Sequence, residues 1–196
     1  MVGVLLLANP VMAQEARVAD AAEAQNGAAV RELLGDGADP NQGQPDGATA
    51  LHWAAHWNDL GMVEALLGAG ADPNAVNELG VVPLALAALN AGAEVGHALL
   101  AAGADPNLAK PSGETVLMAA ARTGSASLVE ALLGAGAEVE PTGHFRNQTP
   151  LMWAAAEGHA DVVRLLLDAG ADVEARSIHG TTALLLAARA GAVEAA

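Results

Sequence analysis

The chain has 196 residues and is 53% hydrophobic, yet it contains only three Trp, one Phe and no Tyr. This composition excludes a globular core built around aromatic side chains. The 23 acidic and 8 basic residues give a formal net charge of −15. Nucleic acid and anionic membrane surfaces would repel such a chain, so we expect neither as a partner. The absence of cysteine excludes disulfides, a thiolate nucleophile and a cysteine-based zinc site.

The first residues of the chain have the pattern of an export signal. Val2 to Ala8 form an apolar run that is far too short to cross a bilayer, so no membrane insertion is expected. Pro10 breaks the run, and Val11 to Ala13 before Gln14 resemble a signal-peptidase site. A positively charged start is missing, which a misassigned or truncated N-terminus would explain. We expect residues 1–13 to be the remnant of a signal peptide on a bacterial protein that is periplasmic or secreted. The alternative is a disordered leader on a cytoplasmic protein.

Two ladders of similar segments run through the rest of the chain. The first contains Gly37, Gly70, Gly103, Gly136 and Gly170, which are separated by 33, 33, 33 and 34 residues. The second consists of residues 47–51, 80–84, 113–117, 147–151 and 180–184. Both ladders place the single extra residue between Glu140 and Asn147. Self-similarity at a fixed period indicates a repeat architecture, in which each unit buries its apolar side against its neighbours.

Each repeating unit predicts two short helices and a turn. A threonine or a proline stands where the first helix should begin, as an N-cap or as the first helical residue: Thr49, Pro83, Thr115, Thr149, Pro150 and Thr182. The second helix carries a buried stripe at i, i+3 and i+4, as in Val63, Leu66 and Leu67. A glycine such as Gly70 then ends it. Trp53 and Trp153 share one register in the first helix, where packing between helices is the expected role.

These segments closely resemble the ankyrin repeat, whose pattern is Gly-x-Thr-Pro-Leu-His-x-Ala-Ala, a second helix ending in Leu-Leu, and then Gly-Ala-Asp. The resemblance covers residues 18–196. It implies an all-α ankyrin-repeat solenoid of helix-turn-helix units with β-turn or hairpin loops. The motif histidine is present at His52 only, so we expect its inter-turn hydrogen bond in the second repeat alone. The matching positions hold Ala85, Met118, Met152 and Leu185.

The repeat register divides the chain into an N-terminal leader, 1–13, and an ankyrin domain, 14–196. The domain contains a half-repeat (15–43), four full repeats (44–76, 77–109, 110–143 and 144–176) and a truncated repeat (177–196). The last unit lacks the glycine that should end its second helix. We therefore expect residues 180–196 to be frayed, or the parent gene to be longer.

The sequence contains no convincing catalytic or metal site. His52 and His56 have the i, i+4 spacing of two zinc ligands, but no third ligand is indicated. The Gly-x-Gly segments end helices instead of joining a strand to a helix, so they are not phosphate loops. No serine lies in a Gly-x-Ser-x-Gly elbow. We expect no enzyme activity, no metal and no cofactor.

The resemblance implies that the hairpin tips and the exposed side of each first helix line a concave surface that binds a protein partner. On it we expect the partner-binding residues His56, Trp57, Leu79, Val81, Leu89, Asn90, Arg122, Phe145, Arg146, Ile178 and His179. Trp57 is the most informative, because repeats usually place small or charged groups there. The alternative is that Trp57 covers a neighbouring turn and Phe145 folds back onto its own repeat. We interpret the chain as a monomeric, non-catalytic interaction module; the alternative is a structural spacer within a larger protein.

Overall fold

The structure is a computed structural model that describes residues 17–141 and 147–196. In these ranges it contains α-helices and no β-strand, so the all-α prediction is confirmed. The helices are α1 (Arg17–Glu23), α2 (Gly27–Gly35), α3 (Ala50–His56), α4 (Leu60–Gly68), α5 (Pro83–Leu89), α6 (Ala93–Ala101), α7 (Val116–Thr123), α8 (Ala126–Gly134), α9 (Pro150–Glu157), α10 (Ala160–Asp168) and α11 (Ala183–Ala190). A 3-10 turn, Val193–Ala195, follows α11. The proposed leader, residues 1–13, lies outside the described residues.

The helices form two layers. The first helices of the repeats, α1, α3, α5, α7, α9 and α11, each pack against the next in that order. The second helices, α2, α4, α6, α8 and α10, do the same, and each also packs on the first helix of its own repeat. Among the described helices, the main contacts therefore run within a unit and between neighbouring units, as expected of a solenoid.

The core lies between successive repeats and uses the same positions each time. Leu51, Leu84, Leu117 and Leu151 are at most 2% exposed. The alanine pairs in the first helices of the second to fifth repeats, such as Ala54 and Ala55, are at most 1% exposed, because a methyl group lets the next helix approach closely. The chain thus replaces bulky aromatic packing with close helix contacts.

The loops between repeats are short hairpins. Their backbones close through hydrogen bonds from Gln44 N to Ala48 O (2.8 Å), Asn77 N to Val81 O (3.1 Å) and Ser177 N to Thr181 O (3.0 Å). Neighbouring hairpins are also joined directly, since the Glu78 amide donates to the carbonyl oxygen of Asp46 at 2.8 Å. The tips of successive repeats are thereby held side by side.

A ladder of asparagine side chains joins the turns that follow the second helices. The Asn41 amide group donates to Gly70 O (2.9 Å) and accepts from the Asp72 amide (2.6 Å). Asn74 and Asn107 make the same pair of bonds to the repeats that follow them. Glu140 occupies the next rung, where its Oε1 atom accepts from Asp172 N at 3.2 Å. An ionised carboxylate has no hydrogen to donate, so this rung makes only half of the asparagine pattern.

The last repeat is the least covered. Leu184 and Leu185 are 54% and 51% exposed, whereas the equivalent residues of the preceding repeat, Leu151 and Met152, are 2% and 1% exposed. The 3-10 turn packs on α10 and α11 and buries Ala195. Residues 183–190 form a helix. The expected fraying of residues 180–196 remains a prediction, which hydrogen exchange would measure.

Candidate interaction surface

The ends of the first helices and the hairpin tips share one surface, which we call the groove surface. His56 is the last residue of α3, Trp57 follows it, and Leu89 is the last residue of α5. Leu79, at a hairpin tip, is 73% exposed. The predicted residues that are exposed are His56, Trp57, Leu79, Asn90, Ile178 and His179; those that are half-buried are Val81, Leu89 and Arg122. Phe145 and Arg146 lie outside the described residues, so their placement at a hairpin tip remains a prediction.

Three rings cluster at the end of α3. The Trp53 and Trp57 rings stack with centroids 6.4 Å apart and planes 21° apart. The His56 ring lies edge-on to both, at 6.0 Å from Trp53 and 4.6 Å from Trp57. Trp57 is nevertheless 40% exposed, so the cluster presents an indole to solvent. Trp57 therefore packs against the end of its own helix.

Trp53 belongs to this surface as well as to the core. It is half-buried and packs against the core, in line with the expected role between helices. Its indole Nε1, however, donates to Gln44 Oε1 at 2.8 Å at the base of the hairpin. The amide nitrogen of Gln44 donates in turn to Asp20 Oδ1 (2.9 Å) and Glu23 Oε2 (2.7 Å). Two carboxylates of α1 are thus connected to the indole through one glutamine.

A cavity of about 350 Å³ opens beside Trp53. It lies between the second and third repeats and is lined by Asp46, Ala48, His52, Trp53, His56, Asn77 and Leu86. The indole, the imidazole of His56 and Leu86 supply apolar and π surface. Asp46 supplies a carboxylate. No Lys or Arg is among these described lining residues, so the cavity combines aromatic walls with negative charge.

His52 holds the wall of this cavity in place. The Thr49 backbone amide donates to its Nδ1 atom (3.1 Å), so the hydrogen of the neutral ring lies on Nε2. Nε2 then donates to Val81 O in the next repeat at 3.0 Å. Burial lowers the pKa of His52, against the raising effects of the Val81 carbonyl and the charge of Asp46. Both ring nitrogens are engaged, so His52 is not free to ligate a metal with His56.

Trp153, which shares the register of Trp53, lies beside a cation of the preceding repeat. The guanidinium of Arg122 lies 5.6 Å from the centre of the Trp153 ring. Glu114 Oε1 lies 3.5 Å from Arg122 Nη2, and the other oxygen of Glu114 accepts from Lys110 Nζ at 3.0 Å. Arg122 is therefore engaged within the chain, and Trp153 is already covered by a cation.

Two predicted binding residues also hold neighbouring repeats together. The Asn90 amide nitrogen donates to His56 O at 2.7 Å, and the Val81 carbonyl accepts from His52. His159 Nε2 makes a similar bond to Arg122 O at 3.0 Å. The bonds to His56 O and Arg122 O satisfy carbonyl groups at the ends of first helices, which have no partner within the helix. Asn90 and Val81 therefore position the surface in addition to lining it.

A second, smaller cavity of about 170 Å³ lies between the fifth and sixth repeats. It is lined by Gln148, Ser177, His179, Thr181, Leu186 and Arg189. His179 thus lies at a cavity, as do His56 and Trp53, while Ile178 beside it is 63% exposed. The sequence analysis did not select Trp53 or Leu86 as site residues. Their register beside the exposed ends of the first helices is the signal that identifies them.

Comparison with known families assigns the chain. A family profile described as "Ankyrin repeats (3 copies)" matches residues 18–110, 84–177 and 117–196. The chain belongs to the ankyrin repeat family, and the groove surface is the tip-and-first-helix face of an ankyrin solenoid. Ankyrin repeats are generally protein-interaction modules and are generally non-catalytic. No curated protein matches the chain.

Two further features of the described residues concern membranes and metal ions. Among the described helices, none combines the length and the apolar character needed to cross a membrane. Within residues 17–141 and 147–196, no group of three His, Asp or Glu side chains is arranged to hold a metal ion.

Proposed function

We propose that the protein binds a protein partner through the groove surface and has no catalytic role of its own. The observation that carries this proposal is the cluster of Trp53, His56 and Trp57, which exposes an indole beside a cavity of about 350 Å³. Aromatic residues next to a pocket are typical of interface hot spots. The exposed Leu79 at the neighbouring hairpin tip extends the apolar part of this surface.

Affinity capture tests the proposal with the full chain as bait. The test variant is Trp57→Ala with Leu79→Ala, which removes two exposed apolar side chains from the groove surface. Leu167→Ala is the matched control, because Leu167 is exposed to a similar extent (42%) but lies on α10, in the layer of second helices. Circular dichroism first establishes that all three chains are equally helical.

We expect a partner that the wild type and the Leu167 variant retain and the double variant loses. Truncation of a hot-spot residue typically costs about 2 kcal/mol or more, which corresponds to a loss of affinity of at least about 30-fold. If all three baits retain the same proteins, the groove surface is not the site. If none retains a protein, the structural-spacer alternative takes precedence.

We also propose that the protein acts as a monomer and is exported to the periplasm or secreted. The export proposal rests on the apolar run from Val2 and on the small residues up to Ala13, which lie outside the described residues. N-terminal sequencing of the protein isolated from its source tests it. A new N-terminus at Gln14 supports export, whereas an intact Met1 in the cytoplasmic fraction contradicts it.

A further inference from the structure

The two tryptophans of the shared register differ in what covers them. Trp53 and Trp153 occupy the same position in the second and fifth repeats. Above the Trp153 ring lies the guanidinium of Arg122, which belongs to the preceding first helix, α7. Glu114 accompanies that guanidinium. The chain therefore contains its own example of a cation held between an indole face and a carboxylate.

At Trp53 the equivalent cation is replaced by an acid. The position of Arg122 corresponds, at intervals of 33 residues, to Leu89, His56 and Glu23 in the preceding repeats. Glu23 is the last residue of α1. Glu23 does not cover the indole as a cation would. It accepts from Gln44, whose side-chain oxygen accepts from the indole Nε1.

The surroundings of Trp53 are acidic throughout. Asp20 and Glu23 meet at Gln44, and Asp46 lines the cavity directly. Glu78 lies on the adjacent hairpin, joined to Asp46 through the backbone. Two histidines also line the cavity; burial lowers the pKa of His52 and its Nδ1 atom accepts from the Thr49 amide, so its ring is neutral. The cavity thus offers an indole and the Asp46 carboxylate, the two kinds of group that hold a guanidinium at Trp153, and no Lys or Arg is among its described lining residues.

We propose that the cavity beside Trp53 binds an arginine side chain from an extended, basic segment of the partner protein. This inference rests on the proposed function and names the chemistry of the partner. A guanidinium is planar, so it stacks on an indole and at the same time donates to a carboxylate such as Asp46. Lysine provides the charge but not the planar donor group.

The test uses a fluorescein-labelled peptide of alternating glycine and arginine with four arginines, at physiological salt. Two further peptides replace every arginine by citrulline or by lysine. Citrulline keeps the shape of arginine and removes its charge. Binding is measured by fluorescence anisotropy, and the tryptophan emission of the protein reports whether an indole is contacted.

Three variants locate the site. Trp53→Leu removes the indole and introduces the residue that Leu86 and Leu186 place in this register, so the fold should tolerate it. Asp46→Asn removes the negative charge of the cavity and keeps an Oδ1 atom that can accept from the Ala48 amide, as Asp46 Oδ1 does at 3.0 Å. Trp153→Leu is the matched control, because its indole is already covered.

We expect the arginine peptide to bind the wild type at least tenfold more tightly than the citrulline peptide and more tightly than the lysine peptide. Trp53→Leu and Asp46→Asn should each weaken binding at least tenfold, and Trp153→Leu should leave it unchanged. Asp46→Asn keeps the indole, so its effect separates loss of the carboxylate from loss of the fold.

Several outcomes overturn the inference. These are absence of binding, equal binding of the citrulline or the lysine peptide, or equal effects of Trp53→Leu and Trp153→Leu. If the wild type still captures a partner that the Trp57 and Leu79 double variant loses, the proposed function stands and only the arginine assignment falls.

Discussion

His52 in the second repeat donates from Nε2 to the carbonyl oxygen of Val81 in the third, at 3.0 Å. This hydrogen bond joins α3 to the hairpin of the next repeat, and the side chain that makes it is only 2% exposed. It requires the neutral ring in one tautomer, because Nδ1 accepts from the Thr49 amide. The wall of the Trp53 cavity therefore depends on the protonation state of one buried histidine.

Replacement of His52 by methionine should destabilise the protein by about 1 kcal/mol at pH 7.5, the typical net value of one hydrogen bond. Methionine fits because Met118 and Met152 occupy this position in two other repeats. Urea unfolding of both proteins, followed by circular dichroism, measures the difference in free energy. A methionine variant that is as stable as the wild type would show that the bond to Val81 makes no net contribution.

The same substitution should change how stability depends on pH. The folded-state pKa of His52 lies below its ordinary value of 6.5 because burial disfavours the charged ring. The contribution of His52 is therefore complete above about pH 6.5 and is lost as the pH falls through the lowered folded-state pKa. The stability advantage of the wild type over His52→Met should shrink between pH 7.5 and pH 5. An advantage that is constant over this range would contradict the assignment.

Glu140→Asn should stabilise the protein at neutral pH by about 1 kcal/mol, because asparagine both accepts from Asp172 N and donates to the next repeat as Asn107 does. The pKa of Glu140 is raised, chiefly because burial disfavours its ionised form. The hydrogen bond from the Asp172 amide lowers the pKa, and the negative charge of Asp172 raises it. A raised folded-state pKa means that the ionised carboxylate opposes folding at high pH and ceases to do so as the pH falls to its unfolded value near 4.5.

The gain from Glu140→Asn should therefore be largest near pH 7.5 and smallest near pH 4.5, as measured by chemical unfolding at both values. Glu174→Asn is the control for the change in charge. Glu174 has the same position in the next repeat, and the described residues contain no further rung beyond it. Equal effects of the two substitutions would attribute the gain to net charge and not to the ladder.

Ala91→Gly should stabilise the protein by about 0.5–1 kcal/mol, because a left-handed conformation is costly for alanine. The larger conformational entropy that glycine gives the unfolded chain offsets part of this gain. Ala91 follows the first helix of the third repeat with φ of 53°. Gly124 occupies the same position in the fourth repeat with φ of 73°. The reverse change, Gly124→Ala, should destabilise by more than 1 kcal/mol, because its Cβ would come within 2.6 Å of the His159 ring. Thermal unfolding of both variants checks the opposite signs.

Leu117→Ala and Leu184→Ala should differ strongly although they truncate equivalent residues. Leu117 is 1% exposed, so its truncation should cost about 2–5 kcal/mol. Leu184 is 54% exposed, and its truncation should cost about 0.5 kcal/mol or less. Urea titration followed by circular dichroism measures both. Comparable losses would show that the final repeat is packed as tightly as the central ones.

The residues by themselves determined the repeat, the helix boundaries and the class of fold. Threonine N-caps and the glycines after the second helices act within one repeat, so they are recognisable without knowing where the neighbouring repeats lie. Thr115, for example, accepts from Met118 N as its N-cap role predicts. The exposed position of Trp57, at the end of a first helix, was also predicted from its register.

Only the tertiary structure decided what each surface residue does. The sequence gives no sign that Arg122 covers Trp153, that Gln44 ties the Trp53 indole to Asp20 and Glu23, or that Asn90 bonds to His56. Each of these contacts joins residues from different repeats or from a helix and a hairpin. They depend on the distance and angle between stacked units, which the period of the sequence does not specify. For this reason the two tryptophans of one register, indistinguishable in the repeat pattern, differ in their environments: one is covered by a cation of the chain and the other is surrounded by acids.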